Sequence, residues 1–226
     1  MKKFPQQPFD LGDPWGTECP HAGVKVFNDL KLIDGGGHTH PGGSHVESCN
    51  SEWEFFQRVL DNVDSGRRKP VMLEIGCLWA LWSMAFKQRF PKGKNILVEP
   101  GKLQLACGLK NFELNDMDCI YFHGHCGADT PSKSGGFSDA GESISIASII
   151  KKTRVPAIDV LHMDAQGAEH GIIPEIRELI DEGFFKNLVI FVHGSSEIGD
   201  ILKASPAVEI AETGKHGDSF YYAKVK

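Results

Sequence analysis

The stretch PVMLEIGCLWAL, residues 70–81, decides the fold of this chain. Its residues Val71–Glu74 are predicted to form a buried strand, and Gly76 follows in a tight turn. The helix-compatible segment Leu78–Gln88 comes next without a break. A strand, a turn with an acid and a glycine, and a helix form the opening unit of an open α/β sheet. Because such sheets bind their ligands beyond the carboxyl ends of the strands, we expect a ligand at this turn.

Apolar runs and helix-compatible segments alternate through the rest of the chain. The further predicted strands are Asn95–Val98, Cys119–Phe122, Ile158–Met163 and Leu188–Val192, and the helices are Lys102–Glu113, Ile172–Glu182 and Glu197–Lys203. The run Ser143–Ile150 fits either a short helix or a strand and a turn, and residues 207–225 suggest a closing hairpin. This alternation predicts one α/β sheet, mostly parallel, with helices on both faces.

Residues 1–69 are predicted to be an N-terminal extension of a domain that spans residues 70–226. Ser51 and Glu54 match a capping box, so a helix that covers one face of the sheet is expected to begin there. Val24–Phe27 is compatible with a short strand.

The run 34–45 contains five glycines and three histidines, His38, His40 and His45. Its composition predicts a loop. This loop is either a simple exposed segment or a lid that closes over the site and contacts the substrate. A metal site is a third alternative, although histidines two residues apart do not have the spacing of helical zinc sites.

The composition of the chain is that of a globular protein without a dominant charged surface. Its 226 residues are 41% hydrophobic, and its net charge is −6. No segment approaches the roughly 18 apolar residues of a membrane-spanning helix, and the N-terminus lacks the apolar region of a secretory signal. Without such an apolar segment no membrane is expected as a partner, and without a dense basic block no nucleic acid is expected. Scattered cysteines without a CxxC pair predict reduced thiols and a cytoplasmic protein, and self-association into a homo-oligomer stays open.

Five polar residues stand at the ends of the predicted strands: Glu74, Glu99, His123, Asp164 and His193. Because the carboxyl ends of parallel strands share one edge of a sheet, these side chains are expected to lie near one another. Any one of them can equally be a solvated loop residue, but together they have the character of a ligand site.

The first turn does not suit a phosphate ligand. The chain has neither the G-x-G-x-x-G pattern of a dinucleotide site nor a P-loop, and acids at two neighbouring strand ends would repel a diphosphate. Glu99 is placed to accept hydrogen bonds from both hydroxyls of a ribose, and Glu74 favours a cationic group. A ligand that combines an amino group, a sulfonium and a free ribose diol is S-adenosylmethionine.

Three blocks of the chain resemble the FkbM-type methyltransferases. They are Leu73–Gly76 (LEIG), Leu97–Pro100 (LVEP) with Leu109–Asn111 and Asn115 downstream, and Ile158–Glu169 (IDVLHMDAQGAE), the most specific of the three. The resemblance covers about residues 70–195. It implies a Rossmann-like class I methyltransferase fold with a seven-stranded, mostly parallel sheet and an antiparallel last strand. It further implies S-adenosylmethionine as the methyl donor and O-methylation of a small molecule or sugar.

The resemblance also implies roles for individual residues. The cofactor site would include Glu74, Gly76, Glu99, His125, Cys126 and Asp164. Asp164 and Gln166 fall beside the methyl group and the acceptor, and His193 matches a histidine often found after the fifth strand. At the first turn, bulky residues replace a more glycine-rich pattern. Cys77 and Trp79 of this turn are further cofactor candidates, and Trp79 either packs in the core or forms a wall of the site.

Methyl transfer to a hydroxyl requires alignment of the reactants and removal of a proton. His193 is the first candidate for the base, because imidazole titrates near neutrality, and Asp164 either orients it or is the base itself. A divalent metal held by Asp164, Glu169 and a histidine is an alternative that we do not favour, and methylation of a nitrogen is another. Outside the methyltransferases, the alternatives are a non-catalytic protein that binds an adenosyl ligand and a nicotinamide-dependent oxidoreductase. The missing triple-glycine turn argues against the oxidoreductase.

Overall fold

The computed structural model describes residues 17–18, 24–26, 44–64, 66, 69–127, 141–193, 197–216 and 218–226. His38 and His40 of the predicted lid lie outside these residues, and for His45 only the backbone is described. None of the described helices is both long and apolar enough to cross a membrane.

Sixteen helices and strands follow one another along the described chain. The strands are β1 (Thr17–Glu18), β2 (Lys25–Val26), β3 (Val71–Ile75), β4 (Lys94–Glu99), β5 (Ile120–His125), β6 (Glu142–Ser143), β7 (Ile158–Met163), β8 (Phe185–Val192), β9 (Val208–His216) and β10 (Asp218–Val225). The helices are α1 (Ser44–Asp61), α2 (Leu81–Arg89), α3 (Lys102–Leu114), α4 (Ile146–Thr153), α5 (Glu169–Asp181) and α6 (Glu197–Ala204). Strands β1 and β2 form a separate antiparallel pair, and the other eight strands form the main sheet.

The main sheet has the strand order β6-β5-β4-β3-β7-β8-β10-β9. Neighbouring strands among β3 to β8 are parallel, whereas β10 is antiparallel to both of its neighbours, β8 and β9. From β3 the chain builds the sheet outward through β4 and β5 and then returns to the other side of β3 with β7. The carboxyl ends of β3 and β7 are therefore the topological switch point, where open α/β sheets bind ligands. The predicted Rossmann-like class I methyltransferase fold is confirmed, with the two-residue β6 added at one edge.

Strand β3 is buried along its whole length because both faces of the sheet are covered. Its residues alternate between the two faces, so Leu73 shares a core with Ile172 of α5, while Met72 shares a core with Phe56 of α1. A strand that is covered on both faces is a nearly continuous apolar run in sequence, which is why β3 was easy to predict.

Helix α1 begins earlier than the capping box predicted. It starts at Ser44, so Ser51 and Glu54 lie inside the helix, and the predicted helix start is wrong. Serine and glutamate are both tolerated in the interior of a helix, so these two residues alone do not identify the first turn. The apolar face predicted downstream is correct, because Phe56 and Val59 are buried in the core beneath α1.

Two strands of the sheet extend further at their carboxyl ends than predicted, and β8 begins earlier, at Phe185 and not at Leu188. Strand β3 continues one residue past Glu74, and β5 continues past His123 to His125, so neither predicted strand end is correct. In β5 the misleading signal was Gly124, which suggested a turn. This glycine lies within the strand because β6 passes close to it, and a Cβ there would collide with the carbonyl oxygen of Glu142.

The starts of three more helices also differ from the predictions. Helix α2 begins at Leu81 and not at the predicted Leu78, because residues 78–80 belong to the turn after β3. The ambiguous run Ser143–Ile150 divides into the end of β6 and the start of α4. Ser145 is the N-cap of α4, and its hydroxyl accepts a hydrogen bond from the amide of Ser148 at 3.1 Å. Helix α5 begins at Glu169, ahead of its predicted start, so Pro174 lies beyond the first turn of this helix.

Candidate functional site

The turns that follow β3 and β7 pack against each other at the switch point. The amide of Asp164 donates to the carbonyl oxygen of Ile75 at 3.0 Å, and the amide of Gly76 donates to the carbonyl oxygen of Val98 at 3.0 Å. A Cβ at Gly76 would collide with the carbonyl oxygen of Asp164, so a larger residue does not fit there. Gly76 therefore allows the ends of β3, β4 and β7 to form one continuous edge, which we call the rim.

The turn after β3 has the backbone conformation that a glycine-rich turn would supply. Gly76, Leu78 and Ala80 all have positive φ angles, of 77°, 46° and 63°. A residue with a Cβ pays about 1–2 kcal/mol in this left-handed region, so Leu78 and Ala80 are strained. The turn therefore keeps the left-handed backbone conformation of a glycine-rich turn, although larger residues occupy two of its three left-handed positions.

The two large side chains of this turn lie in different surroundings. Leu78 is 41% exposed at the rim, which is unusual for a large apolar side chain. Trp79 is partly buried and packs against a core cluster that includes Leu105 and Leu109 of α3. Its carbonyl oxygen accepts a hydrogen bond from the side-chain amide of Asn111 at 2.9 Å. Trp79 thus contributes to the core, and its role as a wall of the site stays a prediction.

Glu99 ends β4 as predicted, and its carboxylate holds the first turn in place. Its Oε2 accepts from the amide of Leu78 at 2.8 Å, and its Oε1 accepts from the amide of Gly101 at 3.0 Å. Burial raises the pKa of Glu99 to about 7 against the opposing effect of these two hydrogen bonds, and the nearby Asp164 adds to the rise. The side chain therefore connects the turn after β3 with the start of α3.

Glu74 lies beneath the rim and not on it. Because β3 is one residue longer than predicted, this side chain points between the sheet and α2, where it is 1% exposed. Its Oε2 accepts from the amide of Ser83 at 3.1 Å, and its Oε1 is 3.9 Å from Nδ1 of the equally buried His162. Burial raises the pKa of Glu74 to about 8 and lowers that of His162 to about 3, so both groups are neutral at pH 7. This position does not support the predicted contact between Glu74 and a cationic part of the ligand.

His193 follows β8 and is held by a carboxylate that the strand-end pattern did not include. Its Nδ1 lies 3.1 Å from Oε1 of Glu169, which is fully buried in the first turn of α5. The same carboxylate accepts hydrogen bonds from the amides of Ala165 and Gly167, each at 2.8 Å. Glu169 therefore fixes both the turn after β7 and the ring of His193. The signal in the sequence was the glutamate that closes the block IDVLHMDAQGAE, a position equally consistent with a metal ligand or with an acid in the first turn of a helix.

The hydrogen bonds around His193 determine which ring nitrogen carries the proton. Burial opposes ionisation of Glu169, but hydrogen bonds from His193 and from backbone amides outweigh it, so the pKa of Glu169 is lowered. Because an ionised carboxylate can only accept, Nδ1 of His193 is the donor and Nε2 of the neutral ring carries the lone pair. This is the arrangement of a general base oriented by a buried acid.

Two further polar side chains surround Nε2 of His193. Oδ1 of Asp164 is 3.5 Å from this nitrogen, and the side-chain nitrogen of Gln166 is 3.1 Å from it. The same Gln166 nitrogen donates to Oδ1 of Asp164 at 3.0 Å. This group could also hold a metal ion, because three potential ligand atoms lie within 4.8 Å of one another, one each from Asp164, Glu169 and His193. The structure thus brings the predicted Asp164, Gln166 and His193 together and adds Glu169 as their support.

The remaining candidates lie around the ends of β3 and β5. His125 is the last residue of β5, and Cys126 and Cys77 are buried free thiols. Burial raises the pKa of Cys126 to about 12 and raises that of Cys77 well above its usual value, so both thiols stay protonated. Nε2 of His123 lies 2.9 Å from the carbonyl oxygen of Pro100 in the turn after β4. The contacts of these residues with a ligand stay predictions.

No protein-family model matches the sequence, and no curated protein matches it. Among solved structures, WbdD aligns with a TM-score of 0.53 and 11% identity over 78% of this chain and 40% of WbdD. M. capricolum TrmK in complex with S-adenosyl-homocysteine aligns with a TM-score of 0.45 and 13% identity over 76% of this chain and 67% of TrmK. The methyltransferase PaMTH1 of Podospora anserina, also bound to this product, aligns with a TM-score of 0.47 and 14% identity over 82% and 83% of the two chains. At these identities the likeness to WbdD concerns the fold alone, and the looser alignments carry no argument about the site.

Proposed function

We propose that this protein is a methyltransferase that uses S-adenosylmethionine to methylate a hydroxyl group of a small molecule, such as a sugar or a natural product. The observation that carries the proposal is the Glu169–His193 pair at the switch point of the sheet. A histidine oriented by a buried carboxylate is suited to accept a proton from a hydroxyl at neutral pH. The relation to FkbM-type methyltransferases and a cytoplasmic location are part of the same proposal.

The chemistry of the rim supports S-adenosylmethionine as the methyl donor. Carboxyl groups of Glu99 and Asp164 lie close enough for Asp164 to raise the pKa of Glu99. Such an acidic rim attracts a ligand with a sulfonium and an ammonium group and repels a diphosphate. Glu99 would face the ribose hydroxyls at the end of β4, and His125 and Cys126 would flank the adenine. When bound, the donor supplies a methyl group activated by the positive charge on sulfur.

The residues around His193 would supply the base and the alignment. An acceptor hydroxyl would donate to Nε2 of His193 and lose its proton to this nitrogen. S-adenosylmethionine held at the rim would supply the methyl group from its sulfonium, which would become a neutral thioether. Asp164, 3.5 Å from Nε2, stabilises the imidazolium that forms, and Glu169 holds the ring through Nδ1. A positioned base typically contributes about 10² to 10⁴ in rate, and alignment supplies on the order of 7 to 11 kcal/mol in the best cases.

Calorimetry identifies the class of cofactor. S-adenosylmethionine, S-adenosyl-homocysteine and NAD are titrated separately into the full chain, and we expect binding of the first two and none of NAD. Binding of NAD alone would refute the methyltransferase proposal.

The base is tested by methyl transfer from S-adenosylmethionine to a panel of sugars and phenols. We expect His193→Ala to keep its affinity for the donor and to lose turnover. The matched control is His170→Ala, because His170 is exposed in the first turn of α5. A His193→Ala variant with undiminished turnover would remove the base assignment. Donor binding without transfer to any acceptor would favour the non-catalytic alternative, and transfer only to amines would favour N-methylation.

A metal-assisted reaction is a second candidate, favoured by the closeness of ligand atoms from Asp164, Glu169 and His193. Asp164 and His193 would supply the ligand atoms, and Glu169, whose two carboxylate oxygens accept hydrogen bonds, would orient the His193 ring. A cation held there would lower the pKa of the acceptor hydroxyl. Titration with Mn²⁺, followed by electron paramagnetic resonance, tests this candidate. Binding that Asp164→Asn abolishes would support it, whereas full turnover in the presence of EDTA would exclude it.

A further inference from the structure

Gln166 contacts the proposed base, yet the methylation step described above gives it no role. We infer that Gln166 holds the place of the methyl acceptor: its side-chain nitrogen occupies the position that the acceptor's hydroxyl takes, and the acceptor displaces it from His193. This inference rests on the proposed function and identifies the place at which the acceptor enters.

The contacts of the Gln166 side chain resemble those expected of an acceptor. Its nitrogen is 3.1 Å from Nε2 of His193 and 3.0 Å from Oδ1 of Asp164. The carboxylate oxygen accepts a hydrogen bond, so the Gln166 amide must present its NH₂ group there and not its carbonyl oxygen. The second hydrogen of that group then points to the lone pair on Nε2. A hydroxyl that is about to lose its proton to His193 must donate to this same lone pair, so the two groups exclude each other.

The turn that carries Gln166 allows the side chain to leave while the backbone stays in place. Gln166 is exposed, and its φ of 51° is left-handed, as is the φ of 97° at Gly167. A Cβ built at Gly167 meets no atom within 4 Å, so there is open space beside the turn. The backbone on either side is anchored, because the amides of Ala165 and Gly167 both donate to Glu169. Rotation of the Gln166 side chain therefore exposes Nε2 of His193 without disturbing the carboxylate that orients the ring.

The contact between Gln166 and His193 also depends on the charge of the ring. Once Nε2 has taken a proton, both ring nitrogens are donors, and the NH₂ group of Gln166 has no acceptor on the ring. Oδ1 of Asp164, 3.5 Å from Nε2, is then an acceptor for the protonated ring. Gln166 thus covers the neutral base before the acceptor enters, and its NH₂ group cannot return to Nε2 until the ring has lost the proton.

Chemical modification of histidine tests this inference without any donor or acceptor. Diethyl pyrocarbonate attacks the free lone pair of a neutral imidazole, and mass spectrometry measures modification of each histidine separately. We expect His193 to react several-fold faster in Gln166→Ala than in the unaltered protein. Gln166→Gly should give the same increase. Because glycine adopts the left-handed conformation of this turn without strain, the second variant should fold even if the turn does not accept alanine. The exposed His170 is the internal control, and its rate should not change.

Nitrogen-15 spectra of the histidine ring separate this role from a merely structural one. Loss of the Gln166 contact should move the Nε2 resonance of His193 and leave the Nδ1 resonance in place. An unchanged rate of modification at His193 in both variants would overturn the inference, as would a change confined to Nδ1. Failure of donor binding in calorimetry would instead refute the proposed function, so the two failures can be told apart.

Discussion

The buried carboxyl of Glu74 gives the protein a pH dependence of stability that one substitution should remove. In the folded protein its pKa is raised from 4.5 to about 8, mainly by burial. Above pH 4.5 the unfolded chain loses this proton, but the folded protein keeps it until about pH 8. The unfolded state is therefore favoured progressively as the pH rises, so this contribution to stability is present below pH 4.5 and is lost by about pH 8.

The size of the effect follows from the interval between the two pKa values. At about 1.36 kcal/mol for each pH unit, the interval from 4.5 to about 8 corresponds to a cost to the folded state of about 5 kcal/mol, of which about 4 kcal/mol falls between pH 5 and pH 8. Replacement with glutamine, Glu74→Gln, preserves the shape of the neutral carboxyl and removes its ionisation. The glutamine oxygen can accept from the amide of Ser83, and the glutamine NH₂ group can approach Nδ1 of His162, which has no hydrogen-bond partner within the described part of the chain.

Urea denaturation at pH 5 and at pH 9 measures the effect. We expect Glu74→Gln and the unaltered protein to have similar free energies of unfolding at pH 5, and the variant to be more stable by about 3–4 kcal/mol at pH 9. Groups that titrate in both proteins cancel in this difference. The matched control is Glu142→Gln, an exposed carboxylate at the edge of the sheet, whose difference should be the same at both pH values. If the difference for Glu74→Gln is also independent of pH, the carboxyl is not protonated in the folded protein and the reasoning fails.

Three further predictions concern the rim and the carboxylate beside it. Gly76→Ala should destabilise the protein by more than about 2 kcal/mol in urea denaturation, because the new Cβ would collide with the carbonyl oxygen of Asp164. A loss of stability below about 0.5 kcal/mol would contradict the close packing of the turns after β3 and β7. Leu78→Gly should leave stability unchanged or raise it by up to about 1 kcal/mol, because relief of left-handed strain exceeds the entropy cost of glycine and removal of the exposed side chain costs little packing. Thermal melting measures this change, and a marked decrease in stability would contradict the prediction. Glu169→Gln should lower turnover at least about tenfold, because a neutral amide no longer selects the Nδ1–H form of His193. Methyl-transfer assays measure this, and equal turnover would refute the orienting role.

The parts of the fold that could be predicted are those in which one local signal decides the outcome. The bounds of β7, Ile158–Met163, were predicted correctly because Pro156 precedes this mostly apolar, buried segment and a polar stretch that starts at Asp164 follows it. The end of β5 was not, because Gly124 allows a close approach of β6, and a glycine in a turn and a glycine under a neighbouring strand look the same in sequence. The start of α1 failed for a similar reason, since Ser51 and Glu54 are compatible with both a cap and a helix interior.

The candidate site shows the same division between local and tertiary information. Asp164 and His193 were expected to meet because parallel strands end at one edge, and the structure places them 3.5 Å apart. An error of one residue at the end of β3 placed Glu74 on the rim, although alternation along the strand turns its side chain beneath α2. The orienting role of Glu169 depends on its position across the turn from β8, which follows from tertiary packing and not from the spacing of residues.

The distribution of backbone strain separates the candidate site from the rest of the described chain. In the whole described chain, five non-glycine residues have positive φ angles. Two of them, Asp116 and Arg154, lie at the carboxyl ends of α3 and α4, where this conformation commonly ends a helix. The other three are Leu78, Ala80 and Gln166, all in the turns that follow β3 and β7. At about 1–2 kcal/mol each, they cost on the order of 3–6 kcal/mol, a large share of the net stability of an ordinary domain. Strain of this size persists only where the surrounding contacts enforce it, here through Glu99 and Glu169, whose carboxylates bind the amides of the two turns. These two acids therefore stabilise a preorganised rim whose conformation the turn sequences would not favour by themselves.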